Sequence, residues 1–303
     1  MTVNPRKIIN SPFGLSIANL IGKYTPYSLG IRVALFAADR ISARKSWKLV
    51  RAARCNQWMA HRTELDKASL DKLVVDNFRN VALSIFDYYR YINDPAKSLR
   101  LIEPDPIAVQ FVQRKEFEDR GVIIAGIHMS NFEMAFQLGG LAGIKALSLI
   151  IAELNSAYKK QWDLLRKGGL KAVPTSMGSI KQAIEYLRAG GIVITAIDRP
   201  DPKSSYRPNF FGHPASLPVH HTFMALKAHV PIVVTAIMRQ ANGKYKFLFS
   251  DPIEMQPHPD RHSETLLNTE NVLHVAEDFI LHDSSQWAMT FPVWPEEMDR
   301  VPE

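Results

Sequence analysis

The chain is poor in the residues on which several common chemistries depend. Its 303 residues include one cysteine, Cys55, which excludes an internal disulfide and a cysteine zinc cluster and is compatible with a reducing cytoplasm. Long apolar runs are missing too. The longest uncharged stretch near the amino terminus, Ile8 to Gly22, is broken by Asn10, Pro12, Gly14 and Asn19 and closed by Lys23. That is short of the ~20 apolar residues a bilayer-crossing helix needs, and the stretch carries no signal-peptide cleavage pattern. Neither a P-loop nor a G-x-G-x-x-G fingerprint is present, which removes the named nucleotide-binding signatures. The helical zinc pattern H-E-x-x-H and the nucleophile elbow G-x-S-x-G are equally missing. No segment is repetitive, low in complexity or linker-like for more than a few residues. One domain over 1–303 is therefore expected, with a mainly helical part over 1–115 and an α/β core over 120–295.

Acidic residues are the scarcer charge, 30 against 37 lysines and arginines, for a formal charge of +7. The balance points to an anionic partner, a phospholipid surface or nucleic acid. Arg40, Arg44, Lys45, Lys48, Arg51 and Arg54 alternate with Ile41, Trp47, Leu49, Val50 and Trp58, which fits an interfacial amphipathic helix or a solvated helix face.

The most informative stretch is 121–133, Gly-Val-Ile-Ile-Ala-Gly-Ile-His-Met-Ser-Asn-Phe-Glu. Val122 to Ile127 has the length and β-branched content of a buried strand, and a helix is expected over 130–141. His128 then stands at the carboxyl end of a strand, the rim where open α/β sheets bind ligands. Glu133, five positions on, has two readings. With Ser130 it makes a capping box; beside His128 it is the carboxylate that orients an imidazole acting as a general base.

Further along, strands are expected at 146–152, 192–197, 231–237 and 244–250, and helices at 156–167, 179–189 and 218–228. The first third reads helical, with Leu73, Val74, Phe78, Val81, Ile85 and Tyr89 at helical spacing over Ser69 to Tyr91. The fold class is α/β: a mostly parallel central sheet flanked by helices, with an α-helical amino-terminal layer. Asp198 ends its strand as His128 does, and parallel neighbours would bring the two together. Asp198 followed by Arg199 is otherwise a surface ion pair.

With these residues in place, the chain resembles the lysophospholipid-type acyltransferases. Within them it is most similar to the branch of lipid A late (lauroyl/myristoyl) acyltransferases and phosphatidylinositol mannoside acyltransferases. That family carries H-x4-D/E, which stands here as His128-Met129-Ser130-Asn131-Phe132-Glu133, with serine and phenylalanine where the branch usually has glycine and tryptophan. Asn155, Arg166 before Gly168-Gly169, Asp198, and Phe210-Phe211-Gly212-His213-Pro214-Ala215 look like further blocks in the family's order. Arg51 to Ala60 is similar to its Arg-x-Asn-Gln region, and Gln286-Trp287 with Trp294 to its tryptophan-containing close. The similarity covers roughly 20–295. A basic pair usual near the closing tryptophan is missing here.

The resemblance implies transfer of a fatty acyl chain from an acyl carrier protein or CoA thioester to a hydroxyl of a membrane lipid or glycolipid. His128 and Glu133 would be the catalytic pair, and Asn131, Arg166 and Asp198 would contact substrate. No metal or other cofactor is implied. An oxyanion donor is expected from Asn131 or the first N–H groups of the 130–141 helix, and a phosphate contact from Arg166, which on residues alone is equally a surface arginine. Phe132, Phe136, Phe210, Phe211, Phe223 and Met224 are candidates for an acyl groove or for the core. The expected place is the cytoplasmic face of the inner membrane, held peripherally by an anionic surface, with no nucleic acid partner. Two other classes stay open: a metal-dependent hydrolase using His128, Glu133 and Asp198 with His213, His220 or His221, and a non-enzymatic lipid-binding protein.

Overall fold

The apolar run at 122–127 supplies a central strand of a six-stranded sheet in the computed structural model, which describes residues 19–92, 94–103, 120–141, 144–150 and 170–302. β1 (Val122–Gly126) is flanked by β4 (Ile192–Ala196) and β7 (Ile232–Arg239). The order across the sheet is β3 (Lys171–Pro174), β2 (Ala146–Ile150), β4, β1, β7 and β8 (Tyr245–Phe249). Every pairing is parallel except that of β7 with β8. The five residues joining those two, with Gly243 at φ +81°, allow only a reversal, because a parallel return needs a dozen residues or more. A two-residue hairpin, β5 (Asn209–Phe210) with β6 (His213–Pro214), stands apart.

Alternation along the strands divides their side chains between two faces. Ile123, Ala125, Val193 and Val234 join one large cluster with residues of α6 (Met177–Arg188), α7 (His220–Ala228) and α8 (Arg261–His282). Val122, Ile124, Ile194 and Val233 belong to the other face, over which α5 (Phe132–Leu141) lies. Fully burying one such aliphatic side chain contributes roughly 1.5–3 kcal/mol, and because both faces of these strands are covered they read as near-continuous apolar runs. α6 and α8 begin where Ser176 and Asp260 accept from the backbone N–H three residues on, the geometry of an N-cap. Gly190, at φ +81°, closes α6 in the left-handed conformation that glycine adopts at no steric cost.

The amino-terminal layer includes, among the described residues, α1 (Tyr27–Ser42), α2 (Lys48–Ala60), α3 (Lys67–Tyr91) and α4 (Pro95–Arg100). α3 starts two residues before the expected Ser69, because Asp66 caps it through Ser69 N–H at 2.7 Å. α2 buries most of its length, with Leu49, Val50, Ala52, Ala53, Arg54, Cys55, Asn56, Gln57, Met59 and Ala60 all buried. Lys48 and Arg51, like Arg40, Arg44 and Lys45 before them, are exposed, so of the six basic residues only Arg54 leaves the solvated side. Arg54 is held inside by Asp71 and by the Pro302 carbonyl at 2.8 Å, so its charge is compensated without solvent. The expected helix over 156–167 and the end of the 146–152 strand lie outside the described residues.

Candidate active site

The site follows from strand register. β1 and β4 pair with an offset of 70, from Val122 opposite Ile192 to Gly126 opposite Ala196. Continued two residues past both strand ends, the same offset sets His128 opposite Asp198. The His128 ring Nδ1 lies 2.6 Å from Asp198 Oδ1, and the His128 backbone N–H donates to Oδ2 at 2.8 Å. Asp198 is completely buried, so it is no surface partner of Arg199, whose guanidinium stacks on Phe291 at 4.1 Å. Burial alone would push the Asp198 carboxyl up. The facing His128 ring and the donated hydrogen bonds outweigh it and hold the group below the ordinary carboxylate range. An ionised Asp198 keeps the proton of a neutral ring on Nδ1 and leaves Nε2 as the basic nitrogen.

A third donor completes the carboxylate. Trp287 Nε1 donates to Asp198 Oδ2 at 2.8 Å, and the segment carrying it runs beside the histidine turn. Met129 bridges Trp287, Ser130 N–H donates to the Gln286 carbonyl at 2.8 Å, and Ala288 N–H donates to the His128 carbonyl at 2.7 Å. Asn56 reaches the carbonyls of Met289 and Phe291, Gln57 that of Ser284, and Asn77 those of Ser285 and Trp287. The Arg-Cys-Asn-Gln stretch at 54–57 thus clamps the closing loop rather than a substrate. Phe210 and Phe211 pack on Trp287 and Trp294 with ring centroids 4.6–6.3 Å apart, counting their own contact.

Ser130 does not cap α5. It sits at φ +46° in the turn itself. The cap is Asn131, whose Oδ1 accepts from Met134 N–H at 3.3 Å while its Nδ2 donates to the Ser84 carbonyl at 3.1 Å. Asn131 is buried, and both ends of its amide are committed to the scaffold. Glu133 is therefore the second residue of α5, in its first turn. It faces α3: burial, then the Glu133 charge, raises the Tyr88 hydroxyl and pushes Tyr89 up to about 12. At Nδ1 the carboxylate that the sequence reading sought in Glu133 is supplied by Asp198.

An apolar pocket of about 750 Å³, counted to its open mouth, lies between α5 and the sheet. Phe132, Ala135 and Gly139 form one wall, Ile124, Ile194, Phe247 and Phe249 the other, and His128 lines it with a side chain 15% exposed. Phe132 also meets the His128 ring edge-on at 4.5 Å. Of the five groove candidates whose side chains are described, Phe132 alone lines this pocket: Phe210, Phe211 and Met224 are core and Phe223 is exposed; the Phe136 side chain lies outside the described residues. Arg166 and Asn155 lie outside them as well. His220 bonds Thr195 Oγ1 at 2.7 Å, and His221 is wholly buried without a hydrogen-bond partner among the described residues. Among those residues no three histidine, cysteine, aspartate or glutamate side chains converge as a metal site requires.

Sequence reasoning missed Trp287 as a site residue. The signal for it was only its place beside Gln286 in the closing segment. A profile of the bacterial lipid A biosynthesis acyltransferase family matches residues 59–295, a span that takes in His128, Asn131, Glu133, Asp198 and Trp287. A search of curated proteins finds no match to the chain.

Proposed function

Because the chain belongs to the bacterial lipid A biosynthesis acyltransferase family, we propose a fatty acyl transfer in which His128 is the base. The acyl chain comes from an acyl carrier protein or CoA thioester and goes to a hydroxyl of a membrane lipid or glycolipid. The observation that carries the reading is the His128–Asp198 hydrogen bond at the lining of an apolar pocket. The apolar walls of the pocket suit a hydrocarbon chain.

The acceptor oxygen attacks the thioester carbonyl while His128 Nε2 takes its proton. Asp198 fixes the tautomer and stabilises the imidazolium that forms. The tetrahedral oxyanion is met by the first N–H groups of α5, which precede the helix's own hydrogen bonds; Met134 N–H is taken by Asn131, which acts as a positioning residue. Collapse expels the thiolate, which receives the proton from the imidazolium, so the ester and free thiol leave and His128 returns to its starting state. No acyl-enzyme is required. Glu133 adds a second negative charge in the first turn of α5, and Arg166 is proposed to hold a phosphate of donor or acceptor through its guanidinium fork. No helix among the described residues is long and apolar enough to cross a membrane, and a peripheral position on the cytoplasmic face is part of the proposal.

The test is thioester consumption with mass detection of acylated product when the purified protein meets a panel of lipid and glycolipid acceptors. Loss of product in a folded His128→Ala variant, by roughly 10²–10⁴-fold or more, is the expected result; retained turnover would overturn the mechanism.

A further inference from the structure

α1 is built with its large residues facing outward. Its buried positions are Gly30, Ala38 and Ser42, and a Cβ on Gly30 would fall 2.3 Å from the Phe86 ring of α3. Small residues are thus required where α1 meets α3. The opposite face carries Leu29 at 51% exposure, Val33 at 41% and Phe36 at 61%. Their spacing of four and three residues makes one stripe, which Arg40 continues four residues on. Just upstream, Leu20 and Tyr24 are 61% and 68% exposed.

Scattered exposed apolar residues need no explanation, but these are concentrated. Six of the thirteen large hydrophobic residues exposed among the described residues fall within 20–36. Charge on this face has one sign. Lys23 lies over the Tyr24 ring at 5.1 Å, and the Arg40 guanidinium over the Phe36 ring at 4.9 Å. Arg32 flanks the stripe and is exposed. The one acid of α1, Asp39, is bonded to Arg79 of α3 at 2.7 and 3.1 Å.

We infer that the outer face of α1 is the surface by which this protein docks on an anionic phospholipid bilayer. Large apolar side chains flanked by Lys and Arg are the composition of a helix lying in the interface, and each basic residue near an anionic leaflet strengthens binding roughly fivefold. A second copy of the chain fits less well, since apposing two such faces would bring cations together with no free acid of α1 to meet them. The inference deepens the membrane-associated reading above. It also places docking one helix from the base: α3, on which α1 packs, takes the Asn131 amide through its Ser84 carbonyl.

The experiment is flotation of the full chain with vesicles of phosphatidylcholine alone and of phosphatidylcholine with phosphatidylglycerol. The parent should bind the anionic vesicles. Leu29→Ser combined with Val33→Ser and Phe36→Ser should weaken that binding at least ~10-fold, as should Arg32→Glu with Arg40→Glu at low salt. Leu267→Ser with Leu281→Ser, on exposed positions of α8, should change nothing. Melting of the triple serine variant should match the parent; a lower midpoint would mean that chain outside the described residues covers the face, and would overturn the proposal. Unchanged vesicle binding, equal binding to neutral vesicles, or a dimer that the triple variant dissociates would overturn it too. Transfer to a detergent-dispersed acceptor should survive in the triple variant. A parent with no transfer activity would count against the proposed reaction and leave the vesicle result readable.

Discussion

Asp198 accepts hydrogen bonds from both the ring and the backbone of His128, at 2.6 and 2.8 Å. One carboxylate reaches both because β1 and β4 are parallel and in register, so their carboxyl ends stop side by side. The backbone bond fixes where the chain turns, and the ring bond fixes which nitrogen faces the pocket. A base held at two points from one buried anchor loses little further freedom when substrate arrives.

Asp198→Asn keeps the shape of that anchor and removes its charge. The amide can offer an N–H to Nδ1, which favours the wrong tautomer and withdraws support from the imidazolium. In the serine protease triad the equivalent change lowers turnover about 10⁴-fold, and a fall of ~10³–10⁴-fold is expected here. Single-turnover acyl transfer measures it, and a variant within tenfold of the parent would exclude Asp198 as the partner of the base. Because the folded Asp198 carboxyl is held below its ordinary value, its share of stability is present above pH ~4 and is lost as pH falls through the folded value.

Trp287→Phe removes the indole donor to Asp198 while keeping an aromatic ring against Phe210 and Phe211. A hydrogen bond to a charged acceptor is worth about 1.5–3 kcal/mol, so the unfolding free energy from denaturation should drop by that amount. Turnover should fall less than in Asp198→Asn, since the carboxylate remains. Trp287→Leu should cost more stability than Trp287→Phe, because the ring packing is lost as well. Equal stability of Trp287→Phe and the parent would show that the indole N–H contributes nothing to the anchor.

Glu133→Gln now separates two catalytic accounts, because Asn131 caps α5 and the capping role is no longer available to Glu133. Melting within ~1 kcal/mol of the parent is expected. If the Glu133 charge supports the imidazolium, turnover should fall by ~10²-fold or more and the pH–rate profile should shift. Full activity would leave Asp198 as the sole carboxylate of the reaction.

What was legible in the sequence was periodicity, and what was hidden was three-dimensional register. The strands containing Val122 and Ile192 announce themselves as β-branched runs, and two parallel strands of one length already suggest that His128 and Asp198 meet. The sequence spacing of His128 and Glu133 drew attention to the nearer carboxylate, because local distance is visible in a sequence and a contact across 70 residues is not. Ser130 misled for a related reason: Ser-x-x-Glu satisfies the capping pattern, but a residue at φ +46° in a tight turn cannot hold the extended N-cap geometry. Arg54 alone of the basic segment misled, because a buried arginine looks like an exposed one until Asp71 and the Pro302 carbonyl are seen beside it. β3 has only Ala172 and Val173 between lysine and proline, too short a run to show a period.

Acid should loosen the fold before it protonates Asp198. His220 is buried against Thr195, and burial lowers its ring to about 4; His221, wholly buried, is also lowered. Between pH ~6.5 and ~4 the unfolded chain binds protons on these rings that the folded chain refuses, so stability is full above pH ~6.5 and lost as pH falls. For His220 the loss amounts to about 3 kcal/mol. His220→Gln should flatten that part of the slope. Denaturation midpoints from pH 7 to 4.5 provide the measurement, and a flat profile in the parent would exclude the buried neutral imidazoles.

Gly139 offers a test of what the pocket holds. It lines the pocket from α5, and among the described residues a Cβ placed on it would meet only Ile144 Cδ1, at 3.8 Å, an ordinary contact. Gly139→Ala should therefore fold well and gain up to ~1 kcal/mol from helix propensity. Gly139→Leu adds three further carbons to the same wall and leaves less room for a hydrocarbon chain. If the pocket takes the acyl group, the leucine variant should lose ~10–100-fold in kcat/KM on the longest thioester the parent accepts, the equivalent of displacing two or three buried methylenes. A short-chain thioester should be used as well as before, since its end stops short of the wall. The alanine variant, which fills little space, should keep the parent's preference and so separates occupancy of the pocket from a general effect of altering α5. A leucine variant that folds and keeps the parent's chain-length preference would move the acyl chain elsewhere on the protein.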